Sequence, residues 1–198
     1  MNNTQQHNAE YLFFDTETTG VPKNYKAPYT DTNNWPRIVQ ISWLVVSEDR
    51  KIIRQEDHII RPDGFIIPVE SSNIHGITHE RALQEGKPLK SIMDIFYSDV
   101  QKAKYIIGHN VSFDVNVSAC ECVRLQKPSP FSDKKIMCTM QASTNYCKIP
   151  GMYGYKWPKL DELHVKLFGC HFDGAHNSLS DIKATFDCFW KLREKGLI

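Results

Sequence analysis

Ten residues constrain this chain more than any others: Tyr11-Leu12-Phe13-Phe14-Asp15-Thr16-Glu17-Thr18-Thr19-Gly20. Four apolar residues run straight into two carboxylates at i and i+2, followed by two threonines and a glycine. Continuous rather than alternating hydrophobicity is the mark of a strand covered on both faces, so the run predicts a buried central strand. Side chains alternate along a strand, which puts Asp15 and Glu17 on one face. Two carboxylates on one face repel unless something positive lies between them. Their oxygens suit magnesium or manganese. An Asp at a strand end is also a common turn former, and Thr-Thr-Gly is ordinary turn sequence, so the rest of the chain must decide.

The chain has 198 residues and 41% hydrophobic residues, enough for one domain with a sizeable core. Lys plus Arg number 24 and Asp plus Glu 23, a formal charge of +1. Net charge therefore gives no argument for bulk nucleic-acid binding, though a small cleft can still be locally basic. Six cysteines, at 120, 122, 138, 147, 170 and 188, lack the spacing of a zinc knuckle and read as reduced thiols. Reduced thiols fit a cytoplasmic protein. The polar start of the chain has no apolar signal core, and no apolar run approaches the ~18 residues of a membrane span.

Read in order, residues 1–10 are expected to be a frayed tail and 11–198 one domain. A strand over about 11–16 is followed by a long loop at 21–37. Strands over 38–47 and 52–60 complete an antiparallel meander. Short helices follow near 71–75 and after Thr78, then a longer one opened by Lys87-Pro88. Tyr105-Ile106-Ile107 is a short buried strand leading into a helix over 112–125. A short strand over 136–138 and a helix over 139–146 come next. Gly151 to Pro158 is an aromatic loop, suited either to stacking on bases or to covering the core. Helices over 160–168 and 179–193 finish the chain. Strands that come first and then alternate with helices predict an α/β fold, a mixed sheet flanked by helices.

Two later motifs carry further acids. Gly108-His109-Asn110-Val111-Ser112-Phe113-Asp114 puts Asp114 in the first turn of a helix, where the helix dipole alone would favour it. Gly174-Ala175-His176-Asn177-Ser178-Leu179-Ser180-Asp181 can be read as an S-x-x-D helix start, but that leaves His176 unexplained. A small-residue loop lets an imidazole project into a cleft, and histidine is the usual general base.

D-x-E, then H-N-x-x-F-D, then H-x4-D, in this order, resembles the DEDDh branch of the DnaQ-like 3′–5′ exonuclease superfamily. Within it, the motifs look most like those of the proofreading epsilon subunit of bacterial DNA polymerase III. His75-Gly76-Ile77 and Leu160-Asp161-Glu162-Leu163 match further family elements, so the resemblance spans 11–193. It implies a ribonuclease H-like, five-stranded mixed sheet in a single domain. It also implies two divalent ions, Mg2+ or Mn2+, held by Asp15, Glu17, Asp114 and Asp181, with Asp15 bridging and His176 deprotonating the nucleophilic water. Thr18, Thr19, Gly20, His75, Ile77, Asn110 and Phe113 match the positions that hold a 3′-terminal nucleotide, although Phe113 is equally readable as a core aromatic. The implied reaction is release of nucleoside monophosphates from single-stranded or frayed DNA 3′ ends, a hydrolase activity of replication or repair. With no polymerase domain in view, proofreading would need a polymerase partner in trans.

Two departures stand out: Cys138-Thr139 occupies a position where the family often has Asp before Ser or Thr, and the 21–37 loop is longer. Because that loop can reshape the cleft, an RNase T-like or oligoribonuclease-like exoribonuclease is the alternative within the class. A non-catalytic nucleic-acid-binding module is the alternative outside it, though binding alone gives no reason to assemble repelling carboxylates.

Overall fold

A computed structural model describes residues 8–198. Its frame is a five-stranded sheet in the order β3-β2-β1-β4-β5. The strands are β1 (Ala9–Thr18), β2 (Ile38–Ser47), β3 (Ile52–Ile59), β4 (Tyr105–Gly108) and β5 (Lys135–Cys138). β1 pairs antiparallel with β2 and β2 with β3, whereas β1–β4 and β4–β5 are parallel. The sheet is therefore mixed and β1 is central, as its apolar run predicts. The helices are α1 (Val69–His75), α2 (His79–Glu85), α3 (Leu89–Lys102), α4 (Val111–Arg124), α5 (Thr139–Cys147), α6 (Leu160–Phe168) and α7 (Ser178–Glu194).

Alternation along β1 decides which helix meets which residue. Leu12 and Phe14 point to one face, where they pack with Trp43, Phe96 and Val117 under α3 and α4. Tyr11 and Phe13 point to the other and pack with Ile182, Phe189 and Trp190 of α7. Both phenylalanines are fully buried, so Phe13→Ala would cost about 3–5 kcal/mol. The odd-numbered face continues as Asp15 and Glu17, toward α7. The even-numbered face continues as Thr16, toward α4.

Two boundaries differ from expectation. The tail expected over 1–10 falls mostly outside the described residues, but β1 already begins at Ala9, because Lys104 N–H bonds the Glu10 carbonyl alongside it. The segment expected as a plain aromatic loop contains a hairpin, β6 (Pro150–Gly151) and β7 (Gly154–Tyr155). Gly154, at φ +122°, permits its tight turn.

The 21–37 loop is tied down from α4. The Arg124 guanidinium donates to the carbonyls of Thr32, Trp35 and Pro36, and Glu121 accepts from Arg37 Nε and the Ile38 backbone. All six cysteines are free thiols. No helix among the described residues is long and apolar enough to cross a membrane.

Candidate active site

The odd face of β1 delivers Asp15 and Glu17 to the N-terminus of α7, which supplies Asp181. One oxygen from each of the three carboxylates lies within 4.8 Å of the others. Burial pushes Asp15 well above the usual carboxylate range, helped by the charges of Asp114, Asp181 and Glu17. Burial and the charges of Asp181 and Asp114 push Glu17 up to about 8. Burial also raises Asp181 to about 6, against the opposing pull of His176. Among the described residues, none of these acids forms an ion pair with Lys or Arg. An all-oxygen donor set with uncompensated charge is what a hard divalent cation requires, so the residues fit such an ion.

Asp114 stands apart from the three-oxygen cluster, and the strand explains why. It lies under the even face, where its Oδ1 accepts from the Thr16 backbone N–H at 3.0 Å and the Thr16 hydroxyl at 2.7 Å. Burial raises it to about 7, and the Thr16 bonds pull the other way. Helix-dipole placement alone does not account for this carboxylate, because it is 3% exposed and bonded across 98 residues of sequence.

The S-x-x-D reading of the last motif fails in an informative way. Asn177 is the N-cap, its side chain accepting from Ser180 N–H. Ser178 turns inward instead, 2.5 Å from the Ser42 hydroxyl, which itself donates to Asp57 at 2.7 Å. Ser42 lies opposite Asp15 in the β1–β2 register. This chain of bonds seats the start of α7 on the sheet beside Asp15 and frees Asp181 from capping. Asp181 Oδ2 accepts from the backbone N–H of His176 at 3.2 Å. His176 is held at φ +67° and is exposed. It lines a cleft of about 280 Å³ together with Asp15, Asp181, His109, Lys159 and Phe172.

In the sequence His109 opens the H-N-x-x-F-D motif and fits a tight Gly-His-Asn junction; in the fold it forms a wall of this cleft. Its Nε2 bonds the Pro158 carbonyl at 2.9 Å, and its Nδ1 lies 3.0 Å from the Thr139 hydroxyl. A carbonyl only accepts, so Nε2 carries the hydrogen and Nδ1 accepts in the neutral ring. Burial lowers this imidazole to about 4. Thr139, next to Cys138, thus meets His109 and also lies 3.3 Å from the Gly108 carbonyl.

The seven positions matched to a terminal nucleotide surround the end of β1. Thr18 Oγ1 donates to the Gly20 carbonyl at 2.6 Å and Thr19 Oγ1 accepts from Arg37 N–H at 3.0 Å. Gly20 takes φ +141°, a conformation that L side chains rarely adopt. His75 is buried, its Nδ1 accepting from the Ile77 N–H at 3.1 Å. Burial lowers the ring, against a backbone contact with Thr18 that works the other way, and its buried Nε2 completes no well-aligned hydrogen bond. Asn110 sits at φ +64° with its side chain not used as a cap. Phe113 is half-buried at the core edge, its ring 6.5 Å from that of Trp35. The bonds that Thr16, Ser42 and Ser178 make were not legible in the sequence, since they depend on which helix covers which face.

The family model described as Exonuclease, of RNase T type, matches residues 12–189. The DNA polymerase III PolC-type protein of Streptococcus pyogenes serotype M2 (strain MGAS10270) is 33% identical over 109 residues, 55% of this chain and 6% of the polymerase. The corresponding protein of serotype M5 (strain Manfredo) has the same identity and coverage. The crystal structure of E. coli Exonuclease I with a dT13 oligonucleotide superposes with a TM-score of 0.72 at 22% identity, covering 93% of this chain and 40% of that one. An ExoI/SSB-Ct complex gives 0.73 at 20%, covering 96% and 42%. The chain therefore spans a small part of the polymerases and under half of the Exonuclease I chain.

Proposed function

The chain belongs to the RNase T-type exonuclease family, a family of 3′–5′ hydrolases, and from that membership we propose that it removes nucleoside monophosphates from the 3′ ends of single-stranded or frayed DNA. The observation that carries this reading is the meeting of Asp15, Glu17 and Asp181 carboxylate oxygens beside a cleft that Asp15 and Asp181 line together with His176.

Asp15, Glu17 and Asp181 would hold one divalent ion, and Asp114 with Asp15 a second. Such ions, when bound, supply stabilisation of the charge that builds on the attacking and leaving oxygens of an in-line displacement. The chain's own groups do the rest. An imidazole nitrogen of His176 takes the proton of the attacking water, and the bond from its backbone to Asp181 holds the loop in place for that transfer. The Thr18–Gly20 backbone forms the floor for the terminal nucleotide. His75, whose ring lies against the Thr18 backbone with no well-aligned bond from Nε2, is suited to bond it. Ile77 and Phe113 flank the base and Asn110 offers its amide.

The oligonucleotide complex of the structural relative and the polymerase setting of the PolC proteins support DNA as the substrate and a polymerase partner in trans. The test is digestion of 3′- and 5′-labelled single strands, as matched DNA and RNA, with Mg2+ or Mn2+ and with EDTA. The reading expects metal-dependent loss of the 3′ label as mononucleotide, faster on DNA. Faster RNA digestion would correct the sugar; binding without any product would make the chain a non-catalytic module.

A further inference from the structure

We propose that the β6–β7 hairpin is a base-stacking platform that holds the single strand leading into the cleft. The proposal rests on the exonuclease reading and adds a second contact surface to it.

Most of the sheet's aromatic side chains pack against one another in the core, as Tyr11, Phe13, Phe14 and Trp43 do. The hairpin does the opposite. Tyr153 is 96% exposed, Trp157 62% and Tyr155 50%. Such a cluster is not the cover over the core that the sequence also allowed. Large exposed apolar groups gathered at one place mark a binding surface.

The base of this hairpin is fixed. Lys156 Nζ donates to both oxygens of Glu162, at 2.6 and 2.9 Å, and the Lys159 N–H donates to the same carboxylate at 2.8 Å. Pro158 is buried, and its carbonyl accepts from His109. Exposed rings on an anchored base are pre-organised, so little ordering is needed when a ligand arrives. Lys156, between Tyr155 and Trp157 in the sequence, is turned toward Glu162, and both flanking rings are left exposed.

The occupant follows from position and charge. Lys159 lines the cleft with Asp15 and His176, and Trp157 precedes it by two residues, so their Cα atoms lie within about 7 Å. His109 itself joins the hairpin base to the cleft wall. Lys148 and Lys159 flank the rings, while Lys156 between them is paired with Glu162 and holds the base. Aromatic rings interleaved with lysines are the chemistry of a single nucleic-acid strand: rings stack on bases of any sequence while cations follow the phosphates. A protein partner of these rings would be served better by one unbroken apolar patch.

The experiment measures binding of a labelled oligothymidylate by anisotropy, in EDTA so that no cleavage is needed, for the full chain and its variants. Tyr155→Ala and Trp157→Ala are each expected to weaken binding on the order of 10-fold. Tyr155→Phe and Trp157→Phe keep a ring and are expected to restore it, whereas leucine at either position is not. In the presence of Mg2+, hydrolysis of a dinucleotide by the alanine variants is expected to match the parent, while KM on the oligomer rises. Alanine variants that bind the oligomer like the parent overturn the proposal, and so does equal rescue by leucine. Loss on the dinucleotide as large as on the oligomer overturns it too, because the hairpin would then be shaping the cleft. A parent protein that binds but releases no mononucleotide defeats the enzymatic reading instead, while the EDTA arm still decides the hairpin.

Discussion

Helix α4 carries two buried carboxylates two turns apart, Asp114 in its first turn and Glu121 near its end, and they are satisfied in opposite ways. Glu121 Oε1 meets Arg37 Nε at 2.9 Å, Arg124 at 3.2 Å and the Ile38 N–H at 3.1 Å. It pins a long loop to a helix. Asp114 receives only the hydroxyl and N–H of Thr16, and beyond it lie three more acids. The chain clearly can supply cations to a buried acid. Burying a charge without one costs several kcal/mol, so the absence of arginine from one end of the same helix marks a place kept for a cation from outside. The contrast also sorts the clefts. The larger one, about 730 Å³, is lined by Arg37, Arg61 and Arg124 near the paired acid, and the smaller one lies on the unpaired acids.

Substitutions can break this contrast from either side. Asp15→Asn should lower turnover by roughly a thousandfold, since several kcal/mol of charge stabilisation go with it. The same change should raise the stability of the metal-free protein in urea, because it removes the cost of protonating a buried carboxylate. Glu121→Gln should do the reverse: a loss of about 2–3 kcal/mol in urea unfolding, with the turnover of the folded fraction retained, since Arg37 and Arg124 would be left half-buried and unpaired. His176→Ala should cost about a hundredfold in turnover with no loss of stability, because the ring is exposed.

Smaller effects sharpen the comparison. Thr16→Val, which removes one of the two bonds to Asp114, should lower turnover about tenfold, the scale of groups that orient a metal ligand. The pH dependence has a definite sign. Glu17 near 8, Asp114 near 7 and Asp181 near 6 all lie above their unfolded values. The native state therefore holds more protons than the unfolded chain between about pH 4 and 8. Stability from this cluster is full below pH 4 and lost as the pH rises toward 8. Thermal melts in EDTA should show that decline, and Mg2+ should reverse it most at the alkaline end. Glu121→Gln should not alter this difference between metal and EDTA.

The motif acids and His176 were legible because each depends on local order: a strand ending, a helix start, a small-residue loop. The two faces of β1 were legible as well, from alternation within Tyr11–Glu17. What covers each face was not. That α7 meets the odd residues and α4 the even ones is a matter of topology, and it alone explains why Asp181 joins Asp15 while Asp114 is claimed by Thr16. The Ser42–Ser178 contact spans 136 residues and the Arg37–Glu121 pair 84. No pattern within a window of sequence carries such pairs. His109 was visible but read as a junction, since its bond to the Pro158 carbonyl depends on how a later loop returns. The exposure of Tyr153 and Trp157 was equally hidden, because an aromatic cluster reads alike whether it faces water or the core.

The central claim is that burial and mutual repulsion raise the acids around Asp15, and that a divalent ion bound there displaces the protons they hold. Calorimetric titration of Mn2+ into the full chain near pH 7, repeated in buffers of different ionisation enthalpy, tests it directly. The account predicts saturable binding with a buffer-dependent heat that reports proton release, with both lost in Asp15→Asn and both kept in Glu121→Gln. Binding without proton release, or binding that survives Asp15→Asn unchanged, would contradict it.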